Sequence, residues 1–182
     1  MRKDATQNHQ KILAAATDLF QKDGVAAVSM KDIATAAHLG PGTLYRNYPN
    51  KGTLCLDLVY NNLQKFIATH RALTPTAANW HLLLSNYLIF REANSALLAT
   101  IESDSQVNFT QTELYHQLSR LFFPFLQAVL PSATAATIQF RTDMLIAMLK
   151  SDSYAFQRQE RHLSNKQLCQ LINELLLSPL LS

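Results

Sequence analysis

Glycine and proline are scarce in this chain, four and six residues among 182, and long stretches contain neither. Few places can turn sharply, so helices are the expected element throughout. No segment alternates polar and apolar residues over a useful length, and none repeats another, which leaves β-structure and repeat folds without support. Cysteine is rarer still. Cys55 and Cys169 stand far apart, a spacing that suits no zinc site and fits reduced thiols in a cytosol. The longest apolar run, near residues 121–130, is too short for a bilayer and holds Pro124. The opening MRKDATQNHQK has no apolar block of the secretory kind. No membrane partner is expected, and the expected location is the cytoplasm.

Catalytic and metal patterns are also missing. There is no glycine-rich phosphate loop and no nucleophile elbow. Glu113 and His116 form a Glu-x-x-His pair, but a di-iron bundle needs a second such pair, and the sequence has none. His9, His70, His81 and His162 show no ligand spacing. Neither an enzyme, nor a metal, nor a cofactor is expected.

What the chain does have is apolar residues, 48% of the total, enough for a sizeable core. It also has a placed charge. Arg2, Lys3, Lys11, Lys22, Lys31, Arg46 and Lys51 outnumber Asp4, Asp18, Asp23 and Asp32 by three, which is the whole of the net +3. By itself so small an excess is weak support for nucleic acid.

Apolar periodicity predicts a first helix over 6–22, with Ile12, Leu13, Ala16, Leu19 and Phe20 on one face and Gly24 as its left-handed stop. A second helix starts after Ser29, whose side chain and that of Asp32 suit a capping box. Next comes a turn, His38-Leu39-Gly40, and a short helix opened by Pro41 and stopped by Pro49. Asn50 is placed to cap a helix over 51–71. Further helices are expected over 77–93, 95–102, 112–130 (with a kink near Pro124), 133–156 and 165–177, and a loop over 103–111. The fold class is all-α: an N-terminal three-helix domain over 1–52, then a helical bundle over 53–182.

Two short helices joined by a tight turn are the geometry that lays a helix in the DNA major groove. Gly40 and Gly42 remove side chains that would hold the second helix away from a phosphate, and its free amides favour an anion. Thr43, Tyr45 and Tyr48 offer hydroxyls, and Arg46 offers a fork for guanine or phosphate. Ser29 and Lys51 sit at neighbouring helix starts, where a phosphate can be met. Tyr45 fits the core as well as a phosphate, and Tyr48 fits a packed residue with a wet hydroxyl.

Ile12, Ala15, Ala16, Leu19, Phe20, Gly24, Val28, Ser29, Met30, Ile33, Ala34 and Ala37, followed by Gly42, Leu44, Tyr45, Tyr48, Asn50, Lys51 and Leu54, resemble the TetR/AcrR family of bacterial transcriptional repressors. The resemblance covers residues 8–56, and GTLYRNYPNK is its most specific stretch. It implies a homodimer joined through the last two helices, a double-stranded DNA operator, and a small-molecule effector held by the C-terminal part. It also implies that Ser29, Thr43, Tyr45 and Lys51 contact phosphates while Gly40, Pro41, Arg46 and Asn47 form the base-reading surface. The sequence departs from the family at His38, where glycine is usual, at Gly40 (serine or alanine) and at Gly52 (glutamate).

In the C-terminal part Trp80, Tyr87, Phe90, Tyr115, Phe122 and Phe140 are candidates for an effector cavity, with core packing as the plainer reading. Arg91 and Arg141 fit an ion pair or an acidic ligand, and Met144, four residues before Met148, fits an adaptable wall or simple core. The function expected is an effector-responsive regulator, usually a repressor, on a palindromic operator. The rivals are a helical binding protein or bundle enzyme whose N-terminal motif is only structural, and a dimer that binds DNA constitutively.

Overall fold

The computed structural model describes residues 2–178; Met1, residues 179–182 and the side chains of Arg2, Lys3 and Asp4, part of the basic excess, lie outside that description. Among the described residues every regular element is helical: α1 (Arg2–Asp23), α2 (Met30–Ala36), α3 (Pro41–Asn47), α4 (Lys51–His70), α5 (Ala77–Ala93), α6 (Ser95–Ser103), α7 (Glu113–Val129), α8 (Ala135–Met148), α9 (Ser151–Ala155) and α10 (Asn165–Leu177). Side-chain caps account for most of the starts. Thr76, Thr112, Thr134 and Ser164 each accept a hydrogen bond from the amide three residues on, satisfying a donor the helix leaves open. Gly24 ends α1 at φ +83°, as expected of a left-handed stop.

The chain divides into two compact units. The first runs to Asn62 and takes in Ala96–Asn108; the second holds Leu63–Ser95 and the chain from Phe109 onward. This division falls later than a break after Gly52. α4 is one uninterrupted helix that contributes to both units, and α6 joins the first, where Leu97 packs against its apolar core. That core is Ile12 and Ala16 of α1, Met30, Ile33 and Ala34 of α2, Leu44 of α3, and Leu54 and Leu58 of α4.

In the second unit Trp80, Leu83, Leu84, Tyr87 and Leu88 of α5 are buried with Leu114, Leu118 and Phe122 of α7 and Ile172 of α10. Trp80 meets Phe122 edge-on with centroids 6.3 Å apart, and its indole Nε1 donates to Asn173 Oδ1 at 2.7 Å, the partner that a buried indole N–H requires. α7 runs through Pro124 as one element.

Two expectations need correction. The helix expected over 133–156 is broken: α8 stops at Met148, Lys150 is extended at ψ 156°, and α9 is followed by a π-turn, Phe156–Glu160. At the break Arg91, buried on α5, donates through Nε to the Leu149 carbonyl that the end of α8 leaves open and through Nη2 to Ser151 Oγ at 3.1 Å. A side chain thus takes a carbonyl at the break, and Arg158, paired with Glu92 at 2.8 Å, ties down the π-turn by donating to the Leu163 carbonyl. The Arg158 and Asn165 bonds hold the Glu92 carboxyl below the usual carboxylate range. The loop expected over 103–111 contains a 3-10 turn, Phe109–Gln111, formed where Phe109 buries its ring edge-on to Tyr115.

Replacing Arg91 by methionine keeps the stem and leaves the Leu149 carbonyl without its donor. A loss of about 2 kcal/mol is expected, read as a lower urea midpoint at unchanged slope, and Arg91→Lys should recover little because one ammonium cannot span both acceptors.

Candidate nucleic-acid interface

α2 begins on a complete capping box. Ser29 Oγ accepts from the Asp32 amide at 3.2 Å, while Asp32 Oδ2 accepts from the Ser29 amide at 2.8 Å and from its hydroxyl at 2.6 Å. These bonds hold the Asp32 carboxyl below its ordinary value. The Ser29 hydroxyl proton is therefore already placed on Asp32, and a phosphate oxygen has to compete for it.

α2 ends in a Schellman turn. The His38 amide reaches the Thr35 carbonyl at 3.1 Å and the Leu39 amide reaches the Ala34 carbonyl at 2.9 Å. The residue between the cap and Leu39 must be left-handed in such a turn, and His38 is, at φ +54°. Histidine accepts that conformation at a cost of about 1 kcal/mol where glycine would not. Leu39 then turns inward onto the core.

The turn delivers the chain to α3, which starts at Pro41 and buries Leu44 completely. Around Leu44 the other residues face outward: Pro41, Gly42, Arg46 and Asn47 are exposed, Tyr45 is 50% exposed, and Thr43 is half-buried. A β-carbon added at Gly40 or Gly42 would meet nothing within 4 Å, so nothing within the chain demands glycine at either place. In the free protein Arg46 folds back, its Nε on the Gly42 carbonyl and its Nη2 on Thr43 Oγ1, both at 3.2 Å. Asn47 donates to the Thr43 carbonyl at 2.8 Å.

Tyr48 lies differently from its neighbours. It is buried, its phenol donates to Asp57 Oδ2 at 2.5 Å, and its oxygen lies 3.0 Å from His9 Nδ1. Burial, with the carboxylate beside it, raises the phenol well above its ordinary value. It fixes the end of α3 to α4 and α1, and its hydroxyl is committed inside the unit. His9 and Asp57 escape sequence reading because they lie 39 and 9 residues from Tyr48 and belong to no local pattern.

α4 is capped by Asn50, whose Oδ1 accepts from the Thr53 amide at 2.8 Å and whose Nδ2 donates to Gln106 Oε1 at 2.8 Å. Lys51 is half-buried, its ammonium 5.7 Å above the Phe20 ring and 3.5 Å from the Ala26 carbonyl. Gly52 has a packing reason: an added β-carbon would lie 2.3 Å from Asp104 Oδ2 and 2.8 Å from its Cβ. The departure to glycine lets the 104–108 segment close over the start of α4. One turn further on, burial pushes the Cys55 thiol up to about 11.

The candidates in the second unit do not gather in one place. Tyr87 meets Phe122 edge-on at 4.9 Å and stacks with Phe90 at 5.8 Å, while Trp80 joins through Phe122. Tyr115 donates to Asp143 at 2.6 Å, and burial, with that hydrogen bond, pushes its phenol up to about 12. Arg141 donates to the carbonyls of Leu176 and Ser178. Phe140 and Met144 are exposed on α8. One open depression of about 230 Å³ is lined by Met148, Tyr154, Leu168, Ile172 and Leu175, and another of about 400 Å³ by Leu130, Pro131, Arg141 and Leu177; only Arg141 of the nine candidates lines either. Glu113 pairs with Arg120 at 3.1 Å, and no cluster of three metal-ligating side chains occurs among the described residues.

A short helix mounted by one buried leucine, with its start and outer face exposed, gives the first unit the geometry of a helix-turn-helix, and with the family match and relatives that follow this makes the chain a DNA-binding transcriptional regulator. Residues 12–58 match the family of bacterial regulatory proteins, tetR family. An HTH-type transcriptional regulator of Staphylococcus aureus (strain USA300) is 34% identical over 169 residues, 90% of this chain and 89% of that protein. The chain belongs to the tetR family. The fold is shared with a TetR regulator from Rhodococcus sp. RHA1 (TM-score 0.61, 20% identity, 93% of this chain and 96% of that one). It is shared too with BioQ crystallised with its double-stranded DNA operator (TM-score 0.65, 16% identity, 93% and 97%).

Gly52→Ala tests the fit over α4. Inside a helix this change ordinarily stabilises by about 1 kcal/mol; here the Asp104 contact should reverse the sign to a loss of about 1 kcal/mol, measured by urea unfolding. Asp104→Gly in the same chain should restore the normal sign.

Proposed function

We propose that this chain is a homodimeric repressor that holds a palindromic operator and releases it when a small molecule binds the second unit. The observation carrying the proposal is the outward face of α3, where Pro41, Tyr45, Arg46 and Asn47 stand exposed around a fully buried Leu44. Arg46, Asn47, Pro41 and Gly40 make the base-reading surface. Arg46 needs only to unfold two weak bonds on its own helix to reach a guanine edge. Thr43, Tyr45, Ser29 and Lys51 serve phosphates, with Gly42 letting the backbone come close. Tyr48 supports these contacts from within.

The homodimer is supported by an apolar stripe on the helices that close the chain. Phe140 and Met144, one turn apart on α8, are 63% and 39% exposed, and Leu171 and Leu175, one turn apart on α10, are 48% and 67% exposed. α8 packs on α10, and a second copy offering the same two helices would bury both pairs as a four-helix bundle. Two α3 helices then meet successive major grooves, about 34–36 Å apart, which calls for a palindrome. An effector in the second unit acts through α4, the helix that contributes to both units. The rings of Trp80, Tyr87, Phe90 and Phe122 pack on one another and line neither depression, so they would have to part for an effector to enter among them. No helix among the described residues is long and apolar enough to cross a membrane.

Two variants test this. Arg46→Ala should weaken binding to a duplex selected by the chain from a random pool about tenfold or more, and binding to unselected DNA much less; equal losses measured by anisotropy would remove the base-reading role. Leu175→Glu should shift the sedimentation coefficient to that of a monomer and weaken selected-site binding, and an unchanged coefficient would place the dimer contact elsewhere.

A further inference from the structure

The outer face of α3 carries two planar polar groups that are neighbours in sequence, Arg46 and Asn47, and both are exposed. Both are also tied to one residue. Thr43 accepts Arg46 Nη2 on its hydroxyl oxygen at 3.2 Å and Asn47 Nδ2 on its carbonyl at 2.8 Å. The two ties differ in what they leave over. The Arg46 bonds, to Thr43 and to the Gly42 carbonyl, are long at 3.2 Å each, and they spend donors, which are all that a guanidinium has. The Asn47 bond is shorter, and it settles which way the amide points.

A carbonyl only accepts, so the Thr43 oxygen must face the amino end of the Asn47 amide. The amide oxygen is therefore the end turned away from Thr43, and no side chain or amide among the described residues donates to it. Of the amino protons, one is spent on Thr43 and the other is free. The exposed remainder of Asn47 is one acceptor and one donor on a rigid plane. The tie already orders that plane on the helix, so a ligand meets it with less side-chain freedom left to lose.

In the major groove adenine shows one acceptor, N7, beside one donor, the N6 amino group. That pair complements what Asn47 has left. Guanine shows acceptors alone and would set O6 against the amide oxygen. Cytosine offers a donor alone, and thymine an acceptor beside a methyl group. Only adenine answers both atoms. Arg46 has donors alone and answers guanine, so the two neighbours differ in the base they can take.

We infer that Asn47 is a specificity-determining residue that reads adenine in each half of the operator, accepting from N6 at Oδ1 and donating to N7 from the N–H that Thr43 leaves free. The inference rests on the proposed reading of the outer face of α3 as the base-reading surface, and it adds which base that face selects and through which atoms.

In the test, the full wild-type chain and each variant select duplexes from a random pool. Single-base replacements in the wild-type duplex are then ranked by anisotropy. The wild type should fix an adenine in each half-site, and any other base there should weaken binding about tenfold. Replacing that adenine by 7-deazaadenine, which pairs normally and carries C–H in place of N7, should weaken wild-type binding several-fold and leave Asn47→Ala binding unchanged. Asn47→Ala should accept every base at that one position and keep its other preferences. Asn47→Asp has acceptors alone, so it should exchange adenine for cytosine there. That exchange is read within one protein, so a general loss of affinity from the added negative charge does not mask it. An adenine preference retained by Asn47→Ala overturns the inference. So does a wild-type half-site without a fixed adenine, and so does an Asn47→Ala loss that is equal on every duplex, the mark of a phosphate contact. Failure of the underlying reading looks different: neither Asn47→Ala nor Arg46→Ala would then change preference at any position. Failure of the adenine assignment alone leaves Arg46→Ala still losing its guanine.

Discussion

A helix of seven residues has no stability of its own in water, since nucleation consumes nearly everything its few hydrogen bonds return. α3 exists because Leu44 is fully buried and because Tyr48 stops it with its phenol on Asp57. The rest of the first unit serves that attachment. α1 and α2 supply the apolar floor through Ile12, Ala16, Ile33 and Ala34, and the small residues of α2 let the helices approach closely. The capping box at Ser29 and the Schellman turn at His38 fix where α2 begins and ends, and so where Pro41 emerges. A rigid mount leaves the outward side chains free to be polar, because none of them is needed for folding.

Much of this was legible in the chain before any coordinates. Ser29 with Asp32, Pro41 at a helix start, Pro49 beyond its end and Asn50 before the next helix are local signals, each acting within a few residues, and all fall where their chemistry places them. His38 stands where the resembled family usually has glycine, and its backbone is left-handed, the conformation that glycine adopts most readily. The Tyr48 contacts were not readable, because a phenol meets a carboxylate and an imidazole there across three helices. Nor was the role of Gly52, whose missing side chain is occupied by Asp104 from a distant loop. Local chemistry is written in sequence spacing, whereas packing across elements is not.

The second unit teaches the same lesson from the other side. Helical periodicity over 133–156 predicts one helix, and the structure gives a break, at which Arg91 from α5 takes the Leu149 carbonyl. Arg141 likewise takes the carbonyl of Leu176. In both cases an arginine on an apolar helix is neither a surface ion pair nor a free cation. It completes backbone acceptors that the helix ends leave open, which is why each is compatible with burial. The aromatic residues divide similarly. Trp80, Tyr87 and Phe122 are packed on one another, while Phe140 is turned out with Met144, so one compositional cluster resolves into an interior and a surface.

The open space around Gly40 and Gly42 has a wider consequence. A serine or aspartate at position 40 would cap α3 and steady it, and the chain forgoes that gain by keeping glycine. Because neither position bears on the interior, residues there can change without disturbing the scaffold. The surface that meets the duplex is thereby uncoupled from the machinery that holds it in shape, and a lineage or an engineer can retune sequence preference while leaving the folding problem solved.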